Sequence, residues 1–190
     1  MNNTDAASPL YAAIDWSRSV IAGSHALHQY LGEHDAWTPN DIDIMCEVKT
    51  HADFCRLVDA FKEKVDAPGE TRKLLTPEMR AEATRENAAN GREERFHHSI
   101  LATSTLTVKG INKPVQFVGL EVDAGRTLLS HLNDTTDLPA CVSYTVTEEH
   151  RRIFHVPERG LPALRTRRVS CLHTCPARIG KYKQRGFVFD

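Results

Sequence analysis

Several features that would narrow its location or function are missing from this sequence of 190 residues. No apolar run approaches the roughly 20 residues that a membrane-spanning helix needs. The N-terminus has neither the basic start nor the apolar stretch of a signal peptide. The five cysteines are an odd number without disulfide-like spacing, which favours a reducing compartment. These absences predict a cytoplasmic protein with no membrane partner.

The sequence also has almost no net charge, since the total is −1, but the charge is unevenly placed. Residues 151–190 carry ten Lys and Arg against two acids, a charge of +8, which leaves −9 for the rest of the chain. This division suits a metal site that faces a phosphate-contacting surface, although an ordinary solvated basic tail explains it equally well. No recognised RNA-binding motif accompanies the basic part.

The pattern of apolar residues predicts an α/β (α+β) fold with helices packed on a mixed sheet. Strands are expected at 19–22 and 42–48, and helices at 24–31 and 51–65, in alternating order. A hairpin of strands 99–108 and 115–122 adds antiparallel pairing. The polar stretch 77–95 is either an exposed helix or a mobile insertion. The length fits one domain over 1–190, with a core of about 11–125 and a basic extension of about 150–190.

Two aspartates, Asp41 and Asp43, stand at the start of the second predicted strand. Side chains alternate along a strand, so both carboxylates point to the same face. Carboxylates held so close repel each other unless a proton or a cation joins them. Hard oxygen ligands of this kind suit Mg²⁺, which binds one or two carboxylates together with substrate phosphates. The pair therefore predicts a site for a divalent cation.

The pair Gly23-Ser24 lies where the first predicted strand turns into a helix. The N-terminus of a helix offers unpaired N–H groups to a phosphate. One segment thus carries a phosphate cradle and a pair of metal-binding acids, which is equipment for chemistry on a nucleotide.

A Gly-Ser turn, a helix and then a strand with Asp-x-Asp is the pattern of the nucleotidyltransferase superfamily that includes DNA polymerase β. The stretch from Val20 to Leu27, followed by Trp37 to Met45, resembles it closely. Within that superfamily the chain is most similar to small members from large DNA viruses, phages and some bacteria. The resemblance covers the core of the first third well and is weaker beyond it.

The resemblance implies a metal-dependent transfer of a nucleoside monophosphate from an NTP to a hydroxyl of a protein, an RNA or a small molecule. Asp41 and Asp43 would hold Mg²⁺ or Mn²⁺, and Gly23 and Ser24 would bind the phosphates. Arg178, Lys181 and Arg185 share one face of a predicted C-terminal helix, and we expect Lys181 and Arg185 to contact the triphosphate or a nucleic-acid backbone.

The third carboxylate that active members carry on a later strand has no clear counterpart in this sequence. Gln116 falls where an acid is expected, and a neutral amide cannot take a proton as a carboxylate does. Glu121 is the catalytic candidate instead, with Asp123 beside it, although Glu121 has the opposite parity to Gln116 on the strand. Two alternatives stay open: a catalytically degenerate protein that binds a nucleotide or a partner, and a protein that binds nucleic acid through its basic C-terminal region.

Other residues with chemical potential give weaker signals. Cys171, Cys175 and His155 have no standard zinc-site spacing. His25, next to Ser24, is expected on a helix surface in preference to a phosphate contact. Trp37 is expected to pack beneath the aspartates.

Overall fold

The computed structural model describes residues 8–32, 37–89, 99–171, 174 and 176–190. The helices in these ranges are α1 (Ser8–Ala13), α2 (Gly23–Leu31), α3 (His51–Lys62), α4 (Pro77–Ala89), α5 (Leu128–Thr135), α6 (Leu161–Thr166) and α7 (Pro176–Lys183). The strands are β1 (Ser19–Ala22), β2 (Ile42–Glu47), β3 (Gly69–Leu74), β4 (Ile100–Thr107), β5 (Val115–Leu120), β6 (Ser143–Val146), β7 (Arg152–His155), β8 (Arg168–Val169) and β9 (Val188–Phe189). A 3₁₀ turn, Glu158–Gly160, precedes α6.

Seven of the described strands form one mixed sheet in the order β3-β4-β5-β2-β1-β6-β7. The central pair β2 and β5 is parallel, and its neighbours β1 and β4 are antiparallel to it. The strands β8 and β9 form a separate parallel pair. The predicted mixed sheet with helices packed on it is therefore confirmed.

The segment β1–α2–β2 folds as its sequence predicts. All four residues of β1 are buried, which matches its short apolar run. Gly23 begins α2 with φ +68°, a left-handed conformation that glycine adopts without steric cost. After β2, the side chain of Thr50 accepts a hydrogen bond from the Asp53 backbone N–H and caps α3. The turn and the aspartates are thereby fixed on neighbouring strands.

The two faces of β2 have different surroundings because its side chains alternate. Ile42, Ile44 and Cys46 belong to the main core. The main core also contains the buried face of α3, Phe54, Val58 and Phe61. Asp43 and Met45 are on the other face, where Met45 packs with Leu128 and Leu132 of α5 in a smaller apolar cluster. Asp43 lies beyond that cluster, at the entry of the strand.

The C-terminal residues complete the main core. Tyr182 on α7 and Phe187 before β9 are almost fully buried and pack edge to face. Val169 of β8 is buried in the same cluster. The basic C-terminal part is therefore packed against the sheet through its apolar side chains, and this packing holds α7 in place.

Some elements differ from the expectations. β3 was not predicted, and α3 ends three residues earlier than the predicted helix. The stretch 77–95 contains the helix α4, whereas its last six residues lie outside the described ranges. In the ranges that are described, no helix has the length and hydropathy needed to cross a bilayer.

Candidate active site

The Gly23 turn lies directly beside the Asp43 side chain. In the antiparallel register, Ala22 lies opposite Asp43, so the turn comes directly beside the carboxylate. A Cβ atom added to Gly23 would lie 2.8 Å from Asp43 Oδ2. A larger residue at position 23 would force the carboxylate to shift, so the two motifs predicted from the sequence lie directly beside each other.

The Asp43 carboxylate is largely removed from water and forms no ion pair with the described residues. Burial, and secondly the negative charge of Asp41, raise the pKa of Asp43 to about 7. Lys181 and Arg178 oppose this shift. No ion pair or side-chain hydrogen bond to Asp43 forms among the described residues. A desolvated carboxylate of this kind is destabilised when ionised unless a cation approaches it.

The donor set of this site fits a hard divalent cation. Asp41 and Asp43 would hold the ion, and the phosphate oxygens of a nucleotide would supply further ligands. Across the described residues, no group of three or more His, Cys, Asp or Glu side chains is placed to bind a metal. A metal here would thus rest on two carboxylates and on its substrate, which is the mode that Mg²⁺ prefers.

Arg185 connects the C-terminal part to the Gly-Ser turn. Its Nη1 atom donates a hydrogen bond to Ser24 Oγ over 2.9 Å, across 161 residues of sequence. The guanidinium lies 4.0 Å above the ring of Trp37, and the residue is only 7% exposed. Burial lowers the pKa of Arg185, with the charge of Asp41 acting in the opposite direction. Arg185 therefore places a desolvated positive charge at the N-terminus of α2.

Lys181 and Arg178, on the preceding turns of α7, complete a basic wall of the site. The charges of both act on Asp43, and that of Lys181 also acts on Asp41. Partial burial, and then the charge of Arg185, lower the pKa of Lys181. The structure thus brings together Arg178 and five of the predicted site residues, which are Gly23, Ser24, Asp43, Lys181 and Arg185. Asp41 is close enough for its charge to act on Asp43.

Gln116 lies beside Asp43 on the neighbouring parallel strand, where the third acid was expected. The register pairs Asp43 with Gln116 and, one strand further, Gln116 with Thr105. The Nε2 atom of Gln116 donates a hydrogen bond to Thr105 Oγ1 over 3.4 Å. The third position is thus occupied by a neutral amide.

Glu121 lies at the other end of the sheet and is not brought to Asp43. Leu120 pairs with Glu47, so Glu121 is five residues further along β5 than Gln116, a distance of about 16 Å. Its carboxylate accepts a hydrogen bond from Arg80 Nη1 over 3.0 Å and is largely exposed. Because β5 runs parallel to β2, a residue after its end is far from the start of β2. Asp123, two residues further, pairs with Arg126.

Two residues, His25 and Trp37, have surroundings that differ from those predicted from the sequence. His25 is buried, not on the helix surface as expected, and its Nδ1 atom has no hydrogen-bond partner among the described residues. Burial, followed by the charge of Lys113, lowers the pKa of His25 to about 4, so the ring is neutral at pH 7. Trp37 does pack at the site, but it supports the Arg185 guanidinium. No local sequence pattern predicts the stacking of Arg185 on Trp37, because the two residues are distant in sequence.

Much of the C-terminal positive charge serves the fold. Arg168 pairs with Asp190 and Arg178 with Asp137. Arg159 donates to the backbone carbonyls of Asn133 and Thr136. The suggested zinc site includes Cys175, which is outside the described residues, whereas Cys171 is a free, exposed cysteine.

Comparisons with known proteins reveal a likeness of structure only. No family model matches the sequence, and no curated protein is significantly similar to it. A tRNA-processing enzyme solved in an apo form superimposes on 100% of this chain and 45% of its own, with a TM-score of 0.58 and 12% identity.

Two further structures are similar over a smaller part. A tRNA nucleotidyltransferase solved with a primer tRNA and an incoming ATP analogue covers 80% of this chain and 34% of its own, at 15% identity and a TM-score of 0.46. A tRNA-processing enzyme complex covers 82% and 33%, at 16% identity and a TM-score of 0.46. The chain thus spans less than half the length of the structures that it matches.

At these identities the likeness concerns the fold. The similarity to viral and phage proteins, the cytoplasmic location and nucleic-acid binding by the basic region stay predictions. The mixed seven-stranded sheet with its packed helices is an α/β fold similar to that of the tRNA-processing enzyme solved in an apo form.

Proposed function

We propose that this protein transfers a nucleoside monophosphate from an NTP to an acceptor oxygen and depends on Mg²⁺ or Mn²⁺. The proposal rests on one observation: a negative and a positive side chain, those of Asp43 and Arg185, both contact the Gly23-Ser24 turn. The Asp43 carboxylate packs on Gly23 without a described counter-ion, and the buried Arg185 guanidinium donates to Ser24 on the same turn. A bound cation would pair with the Asp43 carboxylate, and a bound triphosphate would pair with the Arg185 guanidinium.

The residues divide into two groups by the charge that they would meet. Asp41 and Asp43 would hold the metal, which when bound neutralises charge on the triphosphate and on departing pyrophosphate. The N–H groups at the start of α2 and the hydroxyl of Ser24 would bind phosphate oxygens. Arg185 and Lys181 would add charge-assisted hydrogen bonds, so their desolvated charges would be paired.

The contribution of the protein to such a reaction is mainly position and charge. Trp37 holds the Arg185 guanidinium flat, which fixes its donors toward Ser24 before a ligand arrives. Groups arranged in advance need no reorganisation during the reaction, and this is a large part of catalysis by charge stabilisation.

Incubation with α-labelled NTPs and Mg²⁺ or Mn²⁺ tests the proposal. The wild-type protein should produce a labelled product and pyrophosphate, and the double variant Asp41→Ala, Asp43→Ala should produce neither. Glu121→Gln is the matched control, since Glu121 is remote from Asp43 and pairs with Arg80. Equal labelling by the double variant would exclude these aspartates as the reaction centre.

A second candidate function is nucleotide binding without transfer, and Gln116 in the third position favours it. Calorimetry separates the two. Binding of ATP or GTP without release of pyrophosphate, under conditions where the metal is saturating, supports a binding protein. Turnover that depends on Asp43 supports the enzyme.

A further inference from the structure

The two flanks of the aspartate pair carry different groups. On the β1 side are the Gly-Ser turn and Arg185, which the proposed function assigns to the triphosphate. On the β5 side are Gln116 and Lys113, which that assignment does not use. This second flank lies on the opposite side of Asp43 from the Gly-Ser turn, because β2 stands between β1 and β5 in the sheet.

Lys113 is fixed next to Asp41 by the parallel pairing. It precedes Pro114, whose carbonyl accepts a hydrogen bond from the Ile42 N–H over 2.9 Å, and Ile42 follows Asp41. The side chain of Lys113 is half-buried, and burial lowers its pKa against the effect of the Asp41 charge. None of the described acids lies within ion-pair distance of Lys113. The charge of Lys113 also acts on His25, so Lys113 is close enough to influence the site electrostatically.

Gln116 gives this flank a donor but no base. Its side chain shares a face with Asp43 and is oriented by Thr105. An amide can donate and accept hydrogen bonds but does not take up a proton at neutral pH. A hydroxyl acceptor must lose a proton as it attacks, and general-base help is worth a large factor in rate. An acceptor that is already ionised needs no such help.

We propose that the acceptor is a phosphate group, one of whose ionised oxygens attacks while Lys113 and Gln116 hold the others. The inference rests on the proposed function and names its second substrate class. Lys113 would supply the positive charge and Gln116 a neutral donor, where a carboxylate would repel the acceptor.

The reaction balances without proton transfer to the protein. An oxygen of the acceptor phosphate forms a bond to the α-phosphorus of the NTP. The bond from that phosphorus to the bridging oxygen of pyrophosphate breaks, and pyrophosphate leaves with the electron pair. The product is a phosphoanhydride that joins the acceptor phosphate to the nucleoside monophosphate.

Binding is measured first, with inorganic phosphate as the probe. The full-length protein is saturated with Mn²⁺ and a non-hydrolysable ATP analogue, so the triphosphate positions are filled, and phosphate is titrated by calorimetry. We expect saturable binding that Lys113→Ala weakens about tenfold or more. Lys109→Ala is the control: Lys109 is close in sequence, 78% exposed and paired with Asp66, and its loss should leave the affinity unchanged. Absence of phosphate binding, or equal affinities of both variants, overturns the proposal.

Transfer is measured second, with glucose 1-phosphate and glucose as a charged and a neutral probe. The wild-type protein should use glucose 1-phosphate at least about tenfold better than glucose. Gln116→Glu should shift this ratio toward glucose by about tenfold or more, because the new carboxylate repels the phosphate and can accept a hydroxyl proton. A wild-type protein that prefers glucose, or a ratio that Gln116→Glu leaves unchanged, refutes the acceptor assignment. Failure to bind the ATP analogue at all refutes the proposed function and this inference with it.

Discussion

Two largely buried carboxylates of the same sheet, those of Asp43 and Glu70, have opposite surroundings. Glu70 on β3 accepts hydrogen bonds from Arg72 at 2.5 Å, Lys62 at 2.6 Å and Ser104 at 2.8 Å. Burial raises the pKa of Glu70, but these bonds outweigh it and lower the pKa to about 2. Asp43 has no such partners among the described side chains, and its pKa rises to about 7. Glu70 stabilises the fold, whereas the ionised Asp43 carboxylate costs stability unless a cation approaches it, and this difference supports the proposed role of Asp43 in binding a metal.

The largest effect is expected from Asp43→Asn. The amide removes a charge that the proposed reaction needs, so transfer should fall by about 100-fold or more. The same change removes a desolvated carboxylate, so the free energy of unfolding at pH 7.5 without metal should rise by about 1–2 kcal/mol. Labelled-NTP turnover and urea unfolding measure the two effects. A variant that is less stable than the wild-type protein would mean that the Asp43 carboxylate is already satisfied.

Gly23→Ala should perturb the same carboxylate through its backbone neighbour. The new methyl group would lie 2.8 Å from Asp43 Oδ2, and φ +68° is strained for alanine by about 1 kcal/mol. We expect Mg²⁺-dependent ATP-analogue binding to weaken about tenfold, as measured by calorimetry.

Gly125→Ala is the control for that prediction. Gly125 has φ +84°, with no atom within 4 Å of an added Cβ. It therefore carries the backbone strain without the clash, and it should lower stability slightly while leaving the affinity intact. Similar losses of affinity in both variants would argue against the Gly23–Asp43 contact.

Glu70→Gln should be the converse of Asp43→Asn. Loss of the negative charge weakens the bonds to Arg72 and Lys62, and the free energy of unfolding should fall by about 1–2 kcal/mol after allowance for solvent screening. Turnover per folded molecule should stay within about twofold, because Glu70 is on β3 at the edge of the sheet. A collapse of turnover without loss of stability would assign Glu70 to the site instead.

The smallest effects are in the pH dependence of stability without metal. The pKa of Asp43 is higher in the folded state than its ordinary 3.8, so its favourable contribution is complete below about pH 4 and is lost as pH rises toward 7. The pKa of Glu70 is lowered, so its contribution is complete above about pH 4.5 and is lost as pH falls toward 2. Urea unfolding in EDTA should therefore give a flatter profile for Asp43→Asn between pH 4 and 7, and for Glu70→Gln below pH 4.5. Unchanged slopes would contradict the contrast between the two groups.

The elements that sequence predicts well are those defined by local patterns. The Gly-Ser turn, the Asp-x-Asp entry and the amphipathic α3 each depend on residues close in the chain. β3 was missed because its side chains are mostly polar and it lies at an edge, where Glu70 and Arg72 are satisfied by α3 and β4.

The position of Glu121 relative to Asp43 could not be predicted from the sequence. Its place depends on the direction of β5 relative to β2, and parallel pairing puts the end of β5 far from Asp43. Arg185 packs on Trp37 although the two residues are far apart in sequence, so no local pattern predicts their contact. His25 was expected on a surface that β6 covers, since its ring lies against Tyr144.

The most direct test of the site is the position of Mn²⁺ in crystals grown with the ion and a non-hydrolysable ATP analogue, located by its anomalous scattering. We expect an anomalous peak within about 2.5 Å of carboxylate oxygens of both Asp41 and Asp43, with the triphosphate in contact with Ser24 and Arg185. A peak elsewhere, or a triphosphate bound away from the Gly23 turn, would contradict the proposed site.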